Sequence, residues 1–493
     1  MKEKSNIDPK SDVNSNKELN IWEALIPVVA LIGMLFYNVF YAFGDDALSG
    51  SNQFILLMGG AIAAVVGYFN KVSIDKMFEA VAENVKSTST AILILLMVGA
   101  LAGTWMVSGI IPTMIYYGMQ VLSPAIFLAS CVVICCVISL ATGSSWTTSA
   151  TVGIALIGIA SALDISLGMT AGAILSGAYF GDKLSPLSDT TNLAPAMAGT
   201  DLFTHIRYMT LTTVPTIVIT IIVFIIIGLN LNTTGTVDTQ EILTSIDAAF
   251  NINPLLFIVP LVVIVLIVKK TSPLVALLIG TLLAGLAALI FQPQIVATLG
   301  GSETLTFESG YKGVMNAITV DTSVATDNEI LADLFSAGGM SGMLGTIWLI
   351  ICAMVFGGIM DAIGALKVIT TSLLKMFHTT FGLFASTVAS CLALNVTASD
   401  QYLAIVVPGK MFSKAYEDKG LAPENLSRTL EDSGTVTSVL IPWNTCGAYH
   451  SGVLGVGVGE YFMYAIFNWL SPFTTLFFAA FSIKIKMLTT KTA

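Results

Sequence analysis

The sequence predicts an all-α polytopic membrane protein whose two halves repeat the same order of elements. Of the 493 residues, 55% are hydrophobic and only 11% are charged, whereas a soluble domain carries about 25% charged residues. Apolar runs of roughly 17 to 25 residues, the length that spans a bilayer, recur along the chain. Two polar stretches, residues 181–192 and 430–449, interrupt these runs. They must be buried in protein or line a water-filled cavity.

The apolar runs predict the transmembrane segments in order. Those in the first half and the middle of the chain are 21–43, 54–69, 91–111, 125–141, 146–163, 167–180, 210–229, 254–268 and 273–291. Those in the second half are 342–363, 366–377, 381–394, 403–416, 436–445 and 461–485. Several are too short to span a bilayer alone, and these flank the polar stretches. We therefore divide the chain into a first transmembrane half (21–230), an external loop (231–253), connecting helices (254–291), an external acidic loop (292–341) and a second transmembrane half (342–493).

The positions of the lysines predict the orientation, because basic loops stay in the cytoplasm. Lysines follow the second predicted span, precede residue 273 and end the chain, whereas the loops 44–51, 230–253 and 292–333 are acidic. Both termini are therefore expected in the cytoplasm, with residues 1–20 as a disordered polar tail. Residues 71–90 have apolar side chains near helical spacing, which predicts either an interfacial helix or a plain cytoplasmic loop helix.

Composition and motifs exclude several classes of function. The net charge is −10 and no basic patch with interleaved aromatic residues occurs, which argues against nucleic-acid binding. No Walker A, dinucleotide-binding or H-E-x-x-H motif is present, so ATP-driven transport is unsupported and no cofactor or resident metal is expected. The six cysteines lie in apolar surroundings without metal-ligand spacing, and we interpret them as small buried hydrophobes.

Short motifs recur in the same order in the two halves. The corresponding pairs are 98–111 with 352–365, 141–149 with 394–402, and 182–192 with 432–445. Paired interrupted segments in corresponding positions are the best sequence indication of a transporter's binding site. We therefore expect the polar stretches of the two halves to form one ion site.

The first candidate ligands are hydroxyl groups between two predicted spans. Hydroxyls, and backbone carbonyls freed where a helix breaks, suit Na⁺, a hard cation that binds oxygen. Serine and threonine also hold packed transmembrane helices together without binding anything. The cluster favours a site over that alternative, and its members are Thr142, Ser144, Ser145, Thr147 and Thr148.

The corresponding segment of the second half contains Asn395, Thr397 and Asp400, and it places a carboxylate at membrane depth. Ionised, Asp400 would hold a cation; protonated, it would carry H⁺. A carboxylate that must be neutralised by one or the other gives obligatory exchange. The alternative is a structural carboxylate that caps a broken helix. Asp361, inside the predicted span 342–363, is a second candidate for proton coupling.

The remaining candidate ligands lie in the two polar stretches. We expect Asp182, Lys183 and Asp189 to pair among themselves, because a neutralised cluster costs less to bury than a free charge. The other expected ligands are Thr190, Thr191 and Asn192 in the first stretch, and Asp432, Asn444 and Thr445 in the second.

Two further features leave alternatives open. His450 is either a proton-sensing group or a histidine satisfied by packing. Residues 339–342 match the G-x-S-G pattern of intramembrane serine proteases, in which Ser341 would need His378 or His450 as its partner. Matches of four residues are common in a chain with 42 glycines, so we do not expect an enzyme.

The polar stretches also carry a family resemblance. The longest match, residues 181–195, reads G-D-K-L-S-P-L-S-D-T-T-N-L-A-P, and others lie at 400–402, 426–437 and 441–448. These segments strongly resemble the NhaC family of bacterial Na⁺/H⁺ antiporters, over residues 21 to 481. The resemblance implies two inverted-topology repeats with re-entrant hairpins and broken transmembrane helices, and secondary active transport across the bacterial inner membrane.

The transported solute stays open at this point. The expected ions are Na⁺ and H⁺, and we expect a homodimer. The same family includes exchangers of malate for lactate and carriers of amino acids, so an organic-anion or amino-acid exchanger is the alternative. A buried basic side chain near the site would favour it. The candidates are Lys183, Lys410 and Arg428, none of which sits convincingly within a span.

Overall fold

The computed structural model describes residues 19–43, 50–231, 239–326, 332, 335–375 and 379–488. In these ranges the chain is mainly helical, with one antiparallel pair of two-residue strands, β1 (Thr322–Ser323) and β2 (Ser336–Ala337). Nearly all of the expected disordered tail (1–20) and most of the loop 44–51 lie outside the described residues.

The helices follow one another in a single order. The first half contains α1 (Ile21–Tyr37), α2 (Ser51–Phe69), α3 (Ile74–Ser87), α4 (Ser89–Val107), α5 (Ile110–Val121), α6 (Pro124–Thr142), α7 (Ser145–Thr148), α8 (Ile154–Ala162), α9 (Leu167–Leu184), α10 (Asp189–Ala198) and α11 (Leu202–Asn230). The middle contains α12 (Thr239–Ala249), α13 (Ile258–Val268), α14 (Pro273–Phe291), α15 (Pro293–Leu299), α16 (Phe307–Thr319) and α17 (Gly339–Gly342). The second half contains α18 (Leu344–Ala362), α19 (Ala365–Lys375), α20 (Thr380–Thr397), α21 (Gln401–Asp418), α22 (Pro423–Leu430), α23 (Thr445–Leu454), α24 (Val458–Tyr461) and α25 (Ile466–Ala480).

Within the described ranges, nine helices are long and apolar enough to cross a membrane. Their side chains are arranged as a bilayer requires, with apolar groups outside and polar groups inside. Helix α11 exposes Val218 and Ile222 and buries Thr216 and Thr220. Each of these threonine hydroxyls donates to the carbonyl four residues earlier, at 2.7 and 2.8 Å. The structure therefore confirms the expected all-α polytopic class.

The structure corrects the predicted segments in three places. The apolar run 436–445 is not one continuous helix. Helical turns continue to Leu440, and the chain then breaks because Pro442 supplies no N–H and keeps Ile441 in an extended conformation. The run 91–111 is divided between α4 and α5 at Gly109, whose φ is +80°. The acidic loop 292–341 is not a plain loop, because it contains α15, α16 and the strand pair.

Four helices start at breaks within the transmembrane halves, two breaks in each half. Each start is capped by a side chain that accepts a hydrogen bond from the first turn of the new helix, and the caps are Ser144, Ser188, Asp400 and Asn444. Such caps satisfy N–H groups that the break leaves without a helical partner. In both halves, the first of the two breaks also contains a left-handed residue, Gly143 (φ +72°) and Ser399 (φ +60°).

The two breaks of each half lie against each other. In the second half, the N–H of Thr445 donates to the carbonyl of Ser399 at 3.0 Å. The indole N–H of Trp443 donates to the carbonyl of Val396 at 2.8 Å. In the first half, Gly143 packs directly on the backbone of Leu187. The two helix starts of each half are therefore held close together.

The expected helix in residues 71–90 is present as α3, which packs on α18. The side-chain amide of Asn84 donates to the carbonyl of Met354 at 3.0 Å, and Gly358 allows the backbone of Val81 to approach. Its opposite face exposes Ile74 and Phe78. An amphipathic helix with exposed apolar side chains is typical of a membrane interface, and this location stays a prediction.

We predict that Gly143→Ala lowers the thermal-unfolding midpoint in detergent. The new Cβ would lie 2.6 Å from the Cβ of Leu187 and 2.8 Å from its carbonyl carbon, in a left-handed conformation. Gly199→Ala is the matched control, because Gly199 has φ +85° and no neighbouring atom within 4 Å. The control should lose only the cost of the backbone conformation, about 1–2 kcal/mol. Equal losses in the two variants would contradict the tight contact between the breaks.

Candidate ion-binding cavity

A cavity of about 640 Å³ lies where the four helix starts meet. The side chains predicted as ligands that line it are Thr142, Ser144, Thr147, Asp182, Asp189, Thr190, Asn192, Asp400 and Thr445. Both halves of the chain contribute, so the structure brings the two polar regions together as the repeated motifs predict. The cavity combines carboxylates, hydroxyls and helix N-termini in an otherwise apolar protein.

Asp182 lies in the last turn of α9 and is 8% exposed. Its carboxylate accepts from the hydroxyl of Ser145 at 2.6 Å and from the backbone N–H of the same residue at 3.1 Å. These bonds join α9 to the start of α7, and a helix start favours a negative charge. Asp182 is therefore stabilised as a carboxylate that still faces the cavity.

Asp400 is the cap of α21 and is 7% exposed. One carboxyl oxygen accepts from the N–H of Leu403 at 2.9 Å. The capping role that the sequence left as an alternative is therefore present, and the carboxyl also lines the cavity. A single side chain can perform both roles, since a carboxylate has about four acceptor positions. Asp189, on the first turn of α10, is exposed at the same cavity.

Several predicted ligands hold the breaks in place and do not line the cavity. The Asn444 side-chain amide donates to the carbonyl oxygen of Asn395 at 3.1 Å and to its side-chain oxygen at 3.2 Å. The Thr191 hydroxyl lies 3.1 Å from the carbonyl of Asp182 and 3.0 Å from that of Lys183. The hydroxyls of Thr148 and Thr397 donate to carbonyls four residues earlier. Their contribution is to position the cavity.

The structure corrects the expected pairing of Lys183. Its ammonium group forms an ion pair with Asp432 of the second half, and not with Asp182 or Asp189. Asp432 also accepts from the hydroxyls of Thr212 (2.8 Å), Ser471 (3.1 Å) and Thr475. Both charged residues are fully buried, and Asp432 does not line the cavity. Asp432 is therefore placed as a structural partner of Lys183, away from the expected ion ligands.

Asp361 is the second predicted site residue that lies away from the cavity. It is the penultimate residue of α18, exposed, and within electrostatic range of Lys76 on α3. The predicted span 342–363 ends within one residue of the observed helix, which places Asp361 in the last turn, at the end of the span. Its carboxyl does not line the cavity.

Sequence reasoning missed other side chains of the cavity wall, among them aromatic and polar groups. Gln401 and Tyr402 directly follow Asp400 in one of the matched segments, and this position could have indicated them. Trp146 lies among the hydroxyls of the first half and stacks on Tyr449, with ring centroids 3.9 Å apart. Other polar wall residues come from the α3–α4 junction and the α13–α14 loop, where the sequence has no recognisable signal: Ser87, Thr88, Thr90, Lys270, Thr271 and Ser272.

The contacts of a serine hydrolase are not found for the two described residues concerned. Ser341 is exposed and its hydroxyl donates to the carbonyl of Gly338 at 2.9 Å. A ring nitrogen of His450 lies 3.0 Å from the hydroxyl of Ser149, and the ring packs against Tyr179 and Tyr449. His378 lies outside the described residues. His450 is thus packed among aromatic side chains, and its Nε2 has no hydrogen-bond partner among the described residues.

Broken helices whose starts meet at a polar cavity inside an apolar bundle are the architecture of secondary transporters. Fold and cavity therefore define this class of membrane protein. Residues 177–483 match the profile of the Na⁺/H⁺ antiporter family, and the chain belongs to that family.

Three relatives show the range of this likeness. The chain is 38% identical to the Na⁺/H⁺ antiporter NhaC of Alkalihalophilus pseudofirmus, over 86% of this chain and 89% of that protein. It is 36% identical to the malate-2H⁺/Na⁺-lactate antiporter of Bacillus subtilis, over 85% and 86%. It is 33% identical to the arginine/ornithine antiporter ArcD of Halobacterium salinarum, over 94% and 93%. Antiport is common to all three names, and the solute differs.

We predict that Lys183→Met strongly destabilises the protein. It leaves Asp432 as a buried charge without its ion-pair partner, which costs roughly 3–5 kcal/mol. The double variant Lys183→Met/Asp432→Asn removes both charges and keeps acceptors for Thr212 and Thr475, so it should recover most of the loss. Unfolding in detergent by heat or denaturant measures both. A double variant less stable than Lys183→Met alone would contradict the pairing.

Proposed function

We propose that the protein exchanges Na⁺ for H⁺ across the inner membrane of a bacterium. The observation that carries this proposal is the placement of Asp182 and Asp400, from opposite halves of the chain, on one cavity lined by hydroxyls. A dehydrated Na⁺ needs oxygen ligands with negative charge, and this cavity offers both. The relatives named as Na⁺/H⁺ antiporters support the same solute.

In this proposal Na⁺ lies between the two carboxylates and is completed by nearby hydroxyls. Asp182 is oriented by Ser145, and Asp400 by its own helix, so neither has to reorganise when the ion arrives. Thr142, Ser144 and Thr147 supply neutral oxygens on the same wall. Asp189 lies at the exposed side of the cavity, where it attracts cations from solution.

The lysine distribution supports a cavity that opens toward the cytoplasm. Its wall includes Ser87 and Thr88 at the α3–α4 junction and Lys270 in the α13–α14 loop. These two loops belong to the basic segments, which stay in the cytoplasm. We infer an inward-open state with both termini cytoplasmic.

The transport cycle also requires a state in which the cavity opens to the outside. The two helix breaks in each half allow the change between the two states. We propose that the halves are inverted repeats with re-entrant hairpins, and that one part of each repeat moves against a fixed part. Matching caps and left-handed residues at corresponding breaks support this symmetry. We also propose that the protein is a homodimer, as expected from the sequence.

A second candidate function is coupled exchange of a small carboxylate or an amino acid. The cavity volume favours it, because about 640 Å³ falls in the range of small-molecule sites, roughly 300–1,000 Å³. Lys270 is the basic side chain on the wall. Lys183 and Arg428 are, against expectation, both fully buried in the bundle, but neither lines the cavity.

The test uses purified protein in sealed liposomes containing a pH-sensitive dye. Addition of Na⁺ alone should drive a proton flux, whereas K⁺ should not. Asp400→Asn should abolish the flux, because an amide brings no charge to Na⁺. Asp361→Asn is the matched control and should exchange normally, since Asp361 lies outside the cavity.

Two outcomes would contradict this account. A flux that appears only when malate, lactate or an amino acid accompanies Na⁺ would establish the second candidate function. Normal exchange by Asp400→Asn would remove the cavity carboxylate from the mechanism.

A further inference from the structure

Behind the cavity lies a pair of buried charged side chains that the proposed function does not use. Glu431 begins the π-helical turn Glu431–Thr435, which follows α22, and it is fully buried. Among the described residues, no group makes a well-aligned hydrogen bond to either of its carboxyl oxygens. The hydroxyl of Thr435 lies close enough to interact with the carboxyl group, and that hydroxyl has no well-aligned partner either. Arg428, three residues earlier, is also fully buried, and its three side-chain nitrogens have no acceptor in the described part of the chain.

The contrast with the next residue shows that this arrangement is local. Asp432 is buried to the same extent, yet Lys183 and three hydroxyls satisfy its carboxylate. Arg428 instead lies over the ring of Tyr208, 4.6 Å from its centroid, and 5.9 Å from that of Phe478. Stacking holds the guanidinium plane in position but leaves its N–H groups without acceptors.

Unpartnered buried charges are too costly to be accidental. An ionised carboxylate without a partner costs several kcal/mol to bury, and the great majority of buried polar side-chain groups are hydrogen-bonded. A neutral carboxylic acid fits the surroundings of Glu431 far better than a carboxylate. Single π-helical turns within α-helices are also frequent at functional sites. The position is therefore suited to a group that gains and loses a proton.

Arg428 supplies the counter-charge for the ionised form. Side chains three residues apart on a helix are neighbours, and the chain is continuously helical from Arg428 to Glu431. Rotation of the two side chains toward each other would form an ion pair and remove both unpaired groups at once. The same segment can thus accommodate Glu431 with a proton or, paired with Arg428, without one.

Other titratable groups act on Glu431 from the elements packed around it. Its carboxyl group is within electrostatic range of Asp182 and Lys183 on α9, Asp432 on its own turn and Cys391 on α20. The interaction with Asp182 links this position to the cavity, because like charges repel and Na⁺ bound at Asp182 would cancel that repulsion.

We propose that Glu431 is the proton-binding group of the exchange cycle, separate from the carboxylates that hold Na⁺. The inference rests on the proposed Na⁺/H⁺ exchange. Binding of Na⁺ at Asp182 favours ionisation of Glu431, which releases its proton and pairs with Arg428. Departure of Na⁺ restores the repulsion, and Glu431 takes up a proton again. By linkage, a proton on Glu431 weakens Na⁺ binding to the same extent.

The test measures two quantities on purified protein in detergent. Binding of ²²Na⁺ reports the cavity, and a pH-sensitive dye reports the protons released when Na⁺ is added. Wild-type protein should release protons. Glu431→Gln should still bind Na⁺ but lose the proton release, because the amide has no proton to give up when the ion binds. Glu431→Asp should restore release, with its pH midpoint displaced from that of the wild type.

Glu424→Gln is the matched control, because Glu424 is a buried glutamate of the same helical segment with one unpartnered oxygen. Its other oxygen pairs with Lys486, and its variant should release protons as the wild type does. Wild-type release by Glu431→Gln would overturn the proposal and return the proton to a cavity carboxylate. Loss of Na⁺ binding in that variant would also overturn it, by making Glu431 structural. Wild-type protein that binds Na⁺ without releasing protons would instead refute the exchange itself.

Discussion

A helix that breaks inside a membrane frees backbone groups that no water can satisfy, and this constraint organises the protein. At each of the four breaks a side chain caps the new helix, and two of those caps are Ser144 and Asp400. The breaks of one half also bind each other, as Thr445 does with Ser399. Satisfying the backbone in this way brings four helix starts to one point. The positive ends of these helices favour carboxylates at that point. The polar cavity is therefore a consequence of how the freed backbone groups are satisfied.

The buried charges differ in how they are stabilised, and this difference separates structure from function. Asp432 is fully satisfied by Lys183 and hydroxyls, which fastens the first half to the second. Asp182 is partly satisfied by Ser145 and keeps access to the cavity. Glu431 is buried with no hydrogen bond among the described residues. A carboxylate with all its hydrogen-bond partners, such as Asp432, suits a permanent structural contact. One with some partners, such as Asp182, suits a cation site, and one with none, such as Glu431, suits a group that changes its charge.

The sequence could predict the features that depend on composition and order. Apolar runs gave the polytopic class, and the paired polar motifs brought Thr142, Asp182 and Asp400 to one cavity. Side-chain direction could not be read, because Asp182 and Lys183 are adjacent on a helix and point to different partners. Lys183 and Asp432 are separated by 249 residues in the sequence, and no local pattern predicts their pairing. The end of α18 was predicted to within one residue, but the depth assigned to Asp361 took no account of its place in the last turn.

Ion-dependent protection of a cavity residue tests the central claim, that the cavity between the breaks is the Na⁺ site. Thr147→Cys places a thiol on the wall, and the native cysteines of the described chain are buried or partly buried. The measurement is the rate of modification by a hydrophilic maleimide in Na⁺ and in K⁺ at equal ionic strength, with wild-type protein as the labelling control. The account predicts that Na⁺ slows the reaction and K⁺ does not. Equal rates in the two salts would contradict it.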